Sequence, residues 1–214
     1  MSLSNRLSTQ IGDKTQQGNV AVAERIMAES SGSGLEEVAA ALESAAGQDA
    51  ALLGDCCEVL TKVAERQPER VAPYAPRLLP LLGHKATRVR WEAMHALALT
   101  AERVPDLMAG ALPTLAELIR RDASTIVRDY AVDAVGNMAR AGEATARQAY
   151  PVLREALRAA DGKHAGRALS GLCHAVQAAP DLALEALQTA HEYADHAKPA
   201  VRKAAKALLK AAQR

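Results

Sequence analysis

Apolar positions recur along this chain with helical spacing. Counting from Val89, small or apolar residues follow at Ala93, Ala96, Leu97 and Thr100. The same offsets from Leu53 give Cys57, Leu60, Thr61 and Ala64, and from Val127 they give Ala131, Ala134, Val135 and Met138. From Ala165 they give Leu169, Leu172, Cys173 and Val176, and from Val201 they give Ala205, Leu208, Leu209 and Ala212. The five starting points are separated by 36, 38, 38 and 36 residues. Such offsets put every member on one face of an α-helix, so each run predicts an amphipathic helix with one buried stripe. The small variation in period is what turns of unequal length produce.

Each of these helices has an amphipathic partner before it. Pro76, Pro113 and Pro151 precede Leu78-Leu79, Leu115 and Leu153 at matching offsets. A proline inside a helix removes a hydrogen bond and bends it, so one phase repeated three times predicts a kinked outer helix. Breaks recur at Gln67-Pro68-Glu69, Val104-Pro105-Asp106, Gly142-Glu143 and Ala179-Pro180-Asp181. Each stops one helix and opens the next with an acid at the positive end of its dipole. Asp49, Asp122 and Asp161 fall just before second helices, where N-caps belong. The expected helical pairs lie near 35–66, 71–103, 107–141, 145–179 and 181–213, with no sheet.

Composition supports the pattern. The 214 residues include no Phe, one Trp and four Tyr, against about 48 Ala. Such a chain suits helices packed closely through small side chains, and disfavours an all-β fold, which wants branched and aromatic residues. Residues 1–34 fall outside the period. Asn19 to Glu29 reads as a helix that caps the first pair, Ser30 to Gly34 as a flexible joint, and the polar first 18 residues as loosely ordered. The expected division is therefore an N-terminal extension, 1–34, and a repeat array, 35–214. Lys203, Lys206, Lys210 and Arg214 give the last helix a polar end cap.

These features resemble the HEAT-repeat, armadillo-like family of helical hairpins over roughly residues 35–214. The marks are the unit length, the outer-helix proline, the turn aspartate, and Val-Arg opening the inner helix at Val89-Arg90, Val127-Arg128 and Val201-Arg202. Leu53-Gly54 and Ala165-Gly166 stand there in the first and fourth units. The resemblance implies an all-α fold, a right-handed α-α superhelix (solenoid) of about five hairpins, with second helices lining a concave groove. It also implies a ladder between turn Asp and inner-helix Arg. Asp122 with Arg128 supplies both partners, while His84 and His196 stand near the acid position in the second and fifth units. One hairpin cannot bury its apolar face, but a stack can.

Function should then sit opposite the buried stripes, at positions two, six and nine after each starting point. Two after, these are Asp55, Trp91, Asp129, Arg167 and Lys203; six after, Val59, His95, Asp133, Gly171 and Ala207; nine after, Lys62, Ala98, Gly136, His174 and Lys210. Glu92, Tyr130 and Asn137 flank the strip. The expected groove carries Trp91, His95, Asp129 and Asp133 in its middle and Arg167, His174, Lys203 and Lys210 in its C-terminal third. An indole beside carboxylates favours a partner with an apolar anchor and a basic group.

Other chemistries are weaker. HEAT-repeat hydroxylases hold iron with repeated His-Glu pairs, whereas His191-Glu192 is the single such dipeptide here and falls on an outer helix. HEAT-like alkylpurine DNA glycosylases surround DNA with Trp, Asp and Arg. Trp91, Asp129 and Arg167 share one row, yet one tryptophan and few cations make this an alternative only. Net charge is +1, with 11 basic and 14 acidic side chains in residues 1–107 and 15 and 11 in 108–214. Three cysteines without CxxC spacing argue against disulfides and zinc. The chain opens without an apolar leader and contains no run of 18 apolar residues, so a cytoplasmic protein without membrane contact is expected. The expectation is a non-enzymatic protein- or peptide-binding scaffold with no metal or cofactor; nucleic acid is the less favoured partner.

Overall fold

The structure, a computed structural model, describes residues 2–29, 31–44 and 49–214. Ser30 of the expected joint and positions 45–48 of the first pair lie outside the described residues. Among the described residues there is helix and turn but no strand. The five stripes are buried at every position except Cys173 and Leu209, which are half-buried. The chain forms two compact units, residues 1–100 and 101–214.

In the first unit, α1 (Gln17–Ala28) and α2 (Ser33–Ser44) both pack on α3 (Ala50–Ala64). Asp49 caps α3 as expected, its carboxylate accepting the Ala51 and Leu52 amides at 3.0 and 2.9 Å. The next outer segment is broken, not kinked. It runs as two single turns, α4 (Pro68–Val71) and α5 (Ala75–Leu78), joined and followed by 3-10 turns. Pro73, Pro76 and Pro80 each lack an amide hydrogen, and three within one outer segment leave too few bonds for a continuous helix. The unit closes with α6 (Thr87–Thr100), which lies along α3.

The N-terminal residues are packed where a loose segment was expected. Leu3 and Leu7 are buried, and a 3-10 turn spans Ser4–Arg6. The expected joint is shorter than 30–34, because α2 already begins at Ser33 after Gly32, whose φ of 72° makes the turn.

The second unit has two layers. Inner helices α8 (Thr125–Met138), α10 (Ala165–Ala178) and α12 (Pro199–Ala212) pack in sequence. Outer helices α7 (Pro105–Arg121), α9 (Glu143–Ala156) and α11 (Ala183–Glu192) back them. Pro113 and Pro151 lie inside α7 and α9, as their phase predicts. The crossing of α8 and α10 is tight: a Cβ on Gly136 would lie 2.9 Å from the Gly171 Cα. A Cβ on Gly171 would lie 2.7 Å from a Leu153 methyl and 3.0 Å from the Gly136 Cα.

The turns use two chemistries for one task. The Asp122 carboxylate accepts the Ser124 amide at 2.7 Å. The His84 Nδ1 accepts the Ala86 amide at 3.0 Å, and the His196 Nδ1 accepts the Lys198 amide at 3.1 Å. Both histidines thus do the work of a turn aspartate. Arg90 and Arg202 donate to the carbonyls of His84 and His196, at 2.9 and 2.8 Å, within their own repeats. Two cap expectations shift. Ser124, not Asp122, caps α8, and Asp161 is exposed in a left-handed conformation, φ 56°, ahead of α10. The run Ala160-Asp161-Gly162 is left-handed throughout, which leaves Asp161 unable to reach the α10 amides.

Candidate functional site

In the first unit, the strip opposite the α3 stripe is covered. Asp55 and Val59 are fully buried, against the expectation that they open a groove. The cover is the N-terminal segment. Thr9 donates its backbone amide and its hydroxyl to Asp55 Oδ2, at 2.7 and 2.6 Å. The Asn19 amide nitrogen donates to Asp55 Oδ1 at 3.0 Å and to Glu58 at 2.9 Å. Arg88, at the start of α6, reaches both acids, at 2.7 and 2.9 Å. Burial pushes the Asp55 carboxyl up, but the bonds from Thr9, Asn19 and Arg88 outweigh it and hold it below its ordinary value.

On α6 the expected residues divide. Trp91 and His95 are half-buried, while Glu92 is 9% exposed and belongs to the packed side, not to an open flank. The reason is local. The Glu92 carbonyl accepts the Thr61 hydroxyl of α3 at 3.1 Å, which turns this part of α6 onto α3. Burial, with Glu58 nearby, raises the Glu92 carboxyl, and a hydrogen bond from Trp91 opposes the rise. Trp91 is thus half-buried with its N–H engaged by Glu92.

In the second unit the strip is closed at Gly136 and Gly171, where α8 and α10 cross, and open toward their N-terminal ends. Asp129 and Asp133 lie one turn apart on α8, and Arg167 of α10 reaches across to both. Its Nε lies 3.2 Å from Asp129, and its Nη1 bonds Asp133. Burial raises the Asp133 carboxyl, and Arg167 opposes that rise. His164, ahead of α10 and 1% exposed, places Nδ1 2.8 Å from Asp129, and its Nε2 has no partner. His174 sits apart, its Nδ1 donating to the Gly136 carbonyl at 3.0 Å. Burial lowers the His174 imidazole below its ordinary value. Tyr130 and Asn137 are half-buried and engaged within the protein. Lys203 and Lys210 are exposed on α12.

A cleft of about 700 Å³ joins part of this set. Asp129, Asp133, Arg167 and Lys203 line it, together with small residues that include Gly166, Ala204 and Ala207. His174 and Lys210 do not line it. The sequence reading missed three members of this region: His164, Lys163 and Lys198. A signal for His164 existed. It stands one residue before its stripe begins and 35 after Asp129, much as Arg88 stands one before its stripe and 33 after Asp55. An acid two residues into one stripe is met by the residue just ahead of the next stripe. Among the described residues, no group of three His, Cys, Asp or Glu is placed to hold a metal ion. In the Trp-Asp-Arg row that suggested a glycosylase, Asp129 is already neutralised by Arg167.

No protein-family model matches the chain. No curated protein matches its sequence. Solved structures do. An engineered protein, 22% identical, aligns over 99% of this chain and 97% of its own with a TM-score of 0.72. A designed armadillo repeat protein in complex with the peptide (KR)4, 19% identical, aligns over 98% and 97% with a TM-score of 0.72. UNC-45 from Drosophila melanogaster, 13% identical, aligns over 92% of this chain and 26% of its own with a TM-score of 0.54. The fold is an all-α helical-repeat solenoid of the armadillo and HEAT-like kind. No helix among the described residues is long and apolar enough to cross a membrane.

Proposed function

We propose that this chain is a non-enzymatic scaffold that holds a protein or peptide segment on the outward strip of its inner helices. The observation that supports this most is the open cleft of the second unit. There, polar side chains from α8, α10 and α12 line one cleft with small residues among them, an arrangement that admits an extended main chain. The solved likeness in complex with a peptide belongs to another protein, but it shares the fold on which this reading relies. Trp91 on α6 is a separate candidate contact within the first unit, as a half-buried aromatic of the kind that anchors partners.

Selection from a random peptide library displayed against the whole chain tests the proposal. Enriched peptides should bind in solution, and Trp91→Ala should weaken them by about 2 kcal/mol, as truncation of an aromatic anchor does. Asp133→Lys should change the association rate and its salt dependence. A library that yields no binder, or binders indifferent to substitutions at both places, would overturn the reading.

A further inference from the structure

We infer that the cleft of the second unit takes an acidic peptide segment, with lysines at its rim as the recognising groups. This rests on the peptide-scaffold reading and specifies the partner's chemistry. Charge balance within the cleft carries the inference. Asp129 and Asp133 would favour a basic ligand if free, but both are engaged from within by Arg167, and Asp129 by His164 as well. The cations are not matched in return. Lys163, Lys198 and Lys203 line the same cleft and form no ion pair among the described residues. With Arg167 balanced by one aspartate, the lining holds two more positive than negative side chains.

The backbone adds to this. Lys163 and Lys198 lie just ahead of α10 and α12, each 14 residues long, and Gly166 and Ala200 of their first turns line the cleft. The positive ends of both helix dipoles therefore face the same space as the lysines. Inner helices in contact lie roughly 8–10 Å apart, so the cleft from α8 to α12 spans about 16–20 Å. An extended chain advances about 3.3 Å per residue, which makes room for roughly five or six residues. A nucleic acid fits less well. No aromatic side chain lines the cleft to stack a base, and two aspartates stand beside the path of a phosphate backbone.

The test uses the whole chain and three dye-labelled probes at low salt: hexaglutamate, an alternating Lys-Arg hexapeptide and a single-stranded oligonucleotide. Hexaglutamate should bind most tightly and weaken as salt is added. The double variant Lys198→Glu, Lys203→Glu changes two exposed side chains and should lose at least tenfold in affinity while its helical circular dichroism is unchanged. Arg167→Gln should shift preference toward the basic peptide by releasing Asp133 and leaving Asp129 with His164 alone. Preference of the parent for the basic peptide would overturn the acidic assignment and leave the scaffold reading standing. Oligonucleotide binding without peptide binding would overturn both. Equal binding of hexaglutamate by parent and double variant, or no binding of it, would overturn the acidic assignment.

Discussion

Asp55 and Asp129 occupy the same place in their repeats, two residues into the stripe of an inner helix, and meet opposite fates. Each is met by the side chain one residue before the following stripe, Arg88 for Asp55 and His164 for Asp129. Asp55 is then sealed by Thr9 and Asn19, so every direction from its carboxylate ends on a protein donor. Asp129 keeps one side toward an open cleft. A buried carboxylate is tolerated only when its partners are complete, whereas one at a surface can leave a partner's place to a ligand or to water. One repeat position thus serves as structure in the first unit and as a candidate recognition element in the second. The difference arises from the chain's first twenty residues, not from the repeat itself.

This contrast can be broken most directly by truncating the two acids. Asp55→Ala leaves Thr9 without its acceptor and Arg88 and Asn19 with Glu58 alone, and should cost about 3 kcal/mol. Asp129→Ala, in the half-exposed setting, should cost about 1 kcal/mol. Urea unfolding of both variants gives the comparison, and equal losses would erase it.

A smaller effect concerns glycines. Gly171→Ala forces a Cβ against Leu153 and the α8 backbone and should cost about 1–3 kcal/mol by overpacking. Gly54→Ala in the first unit meets the flexible Arg88 side chain, no nearer than 3.3 Å, and should cost less than 1 kcal/mol, roughly the scale of a surface change. Thermal unfolding of the pair would reverse this ranking only if Arg88 cannot yield.

The smallest expected effect is with pH. His174 of the second unit has an imidazole held below its ordinary 6.5 by burial. Below about that pH the unfolded chain takes up the proton more readily than the folded one, so stability falls as pH falls. Asp55 is depressed below 3.8, so its contribution is intact above that value and is lost only as pH falls through the lower folded one. Asp133, raised by burial, acts in the opposite sense as its folded carboxyl protonates. Between pH 7 and 5, hydrogen exchange corrected for intrinsic rates should therefore accelerate in α10 before it does in α3. His174→Gln should remove that difference, and an unchanged α10 profile in the parent would contradict it.

The repeats were legible because burying one face of a helix imposes a period that no other requirement imitates. Even the weak fourth stripe, opened by Ala165-Gly166, was placed correctly, and its half-buried Cys173 was one of two exceptions. The broken outer segment was legible only in part. One proline in phase announces a bend, but the joint effect of Pro73, Pro76 and Pro80 depends on how many bonds remain. The docking of the N-terminal segment was not legible. Thr9 and Asn19 look like any other polar residues, and nothing local reveals that their acceptors lie 46 and 36 positions on. The charged rows of the second unit were found, but their pairing was not. Which cation neutralises which acid depends on helix-to-helix offset, and this decided that the aspartates were engaged while Lys163 and Lys198 were free to act.

The seal over Asp55 also bears on the order of assembly. In a repeat array, folding can start anywhere and spread from neighbour to neighbour. Here the first inner helix carries two acids that cannot leave water until a donor made earlier, Asn19, and one made later, Arg88, have both arrived. As the chain emerges during synthesis, α3 therefore waits about thirty residues for its last partner. The first unit should then close in one step that brings Asn19, α3 and Arg88 together, and not as a hairpin completed before the next begins.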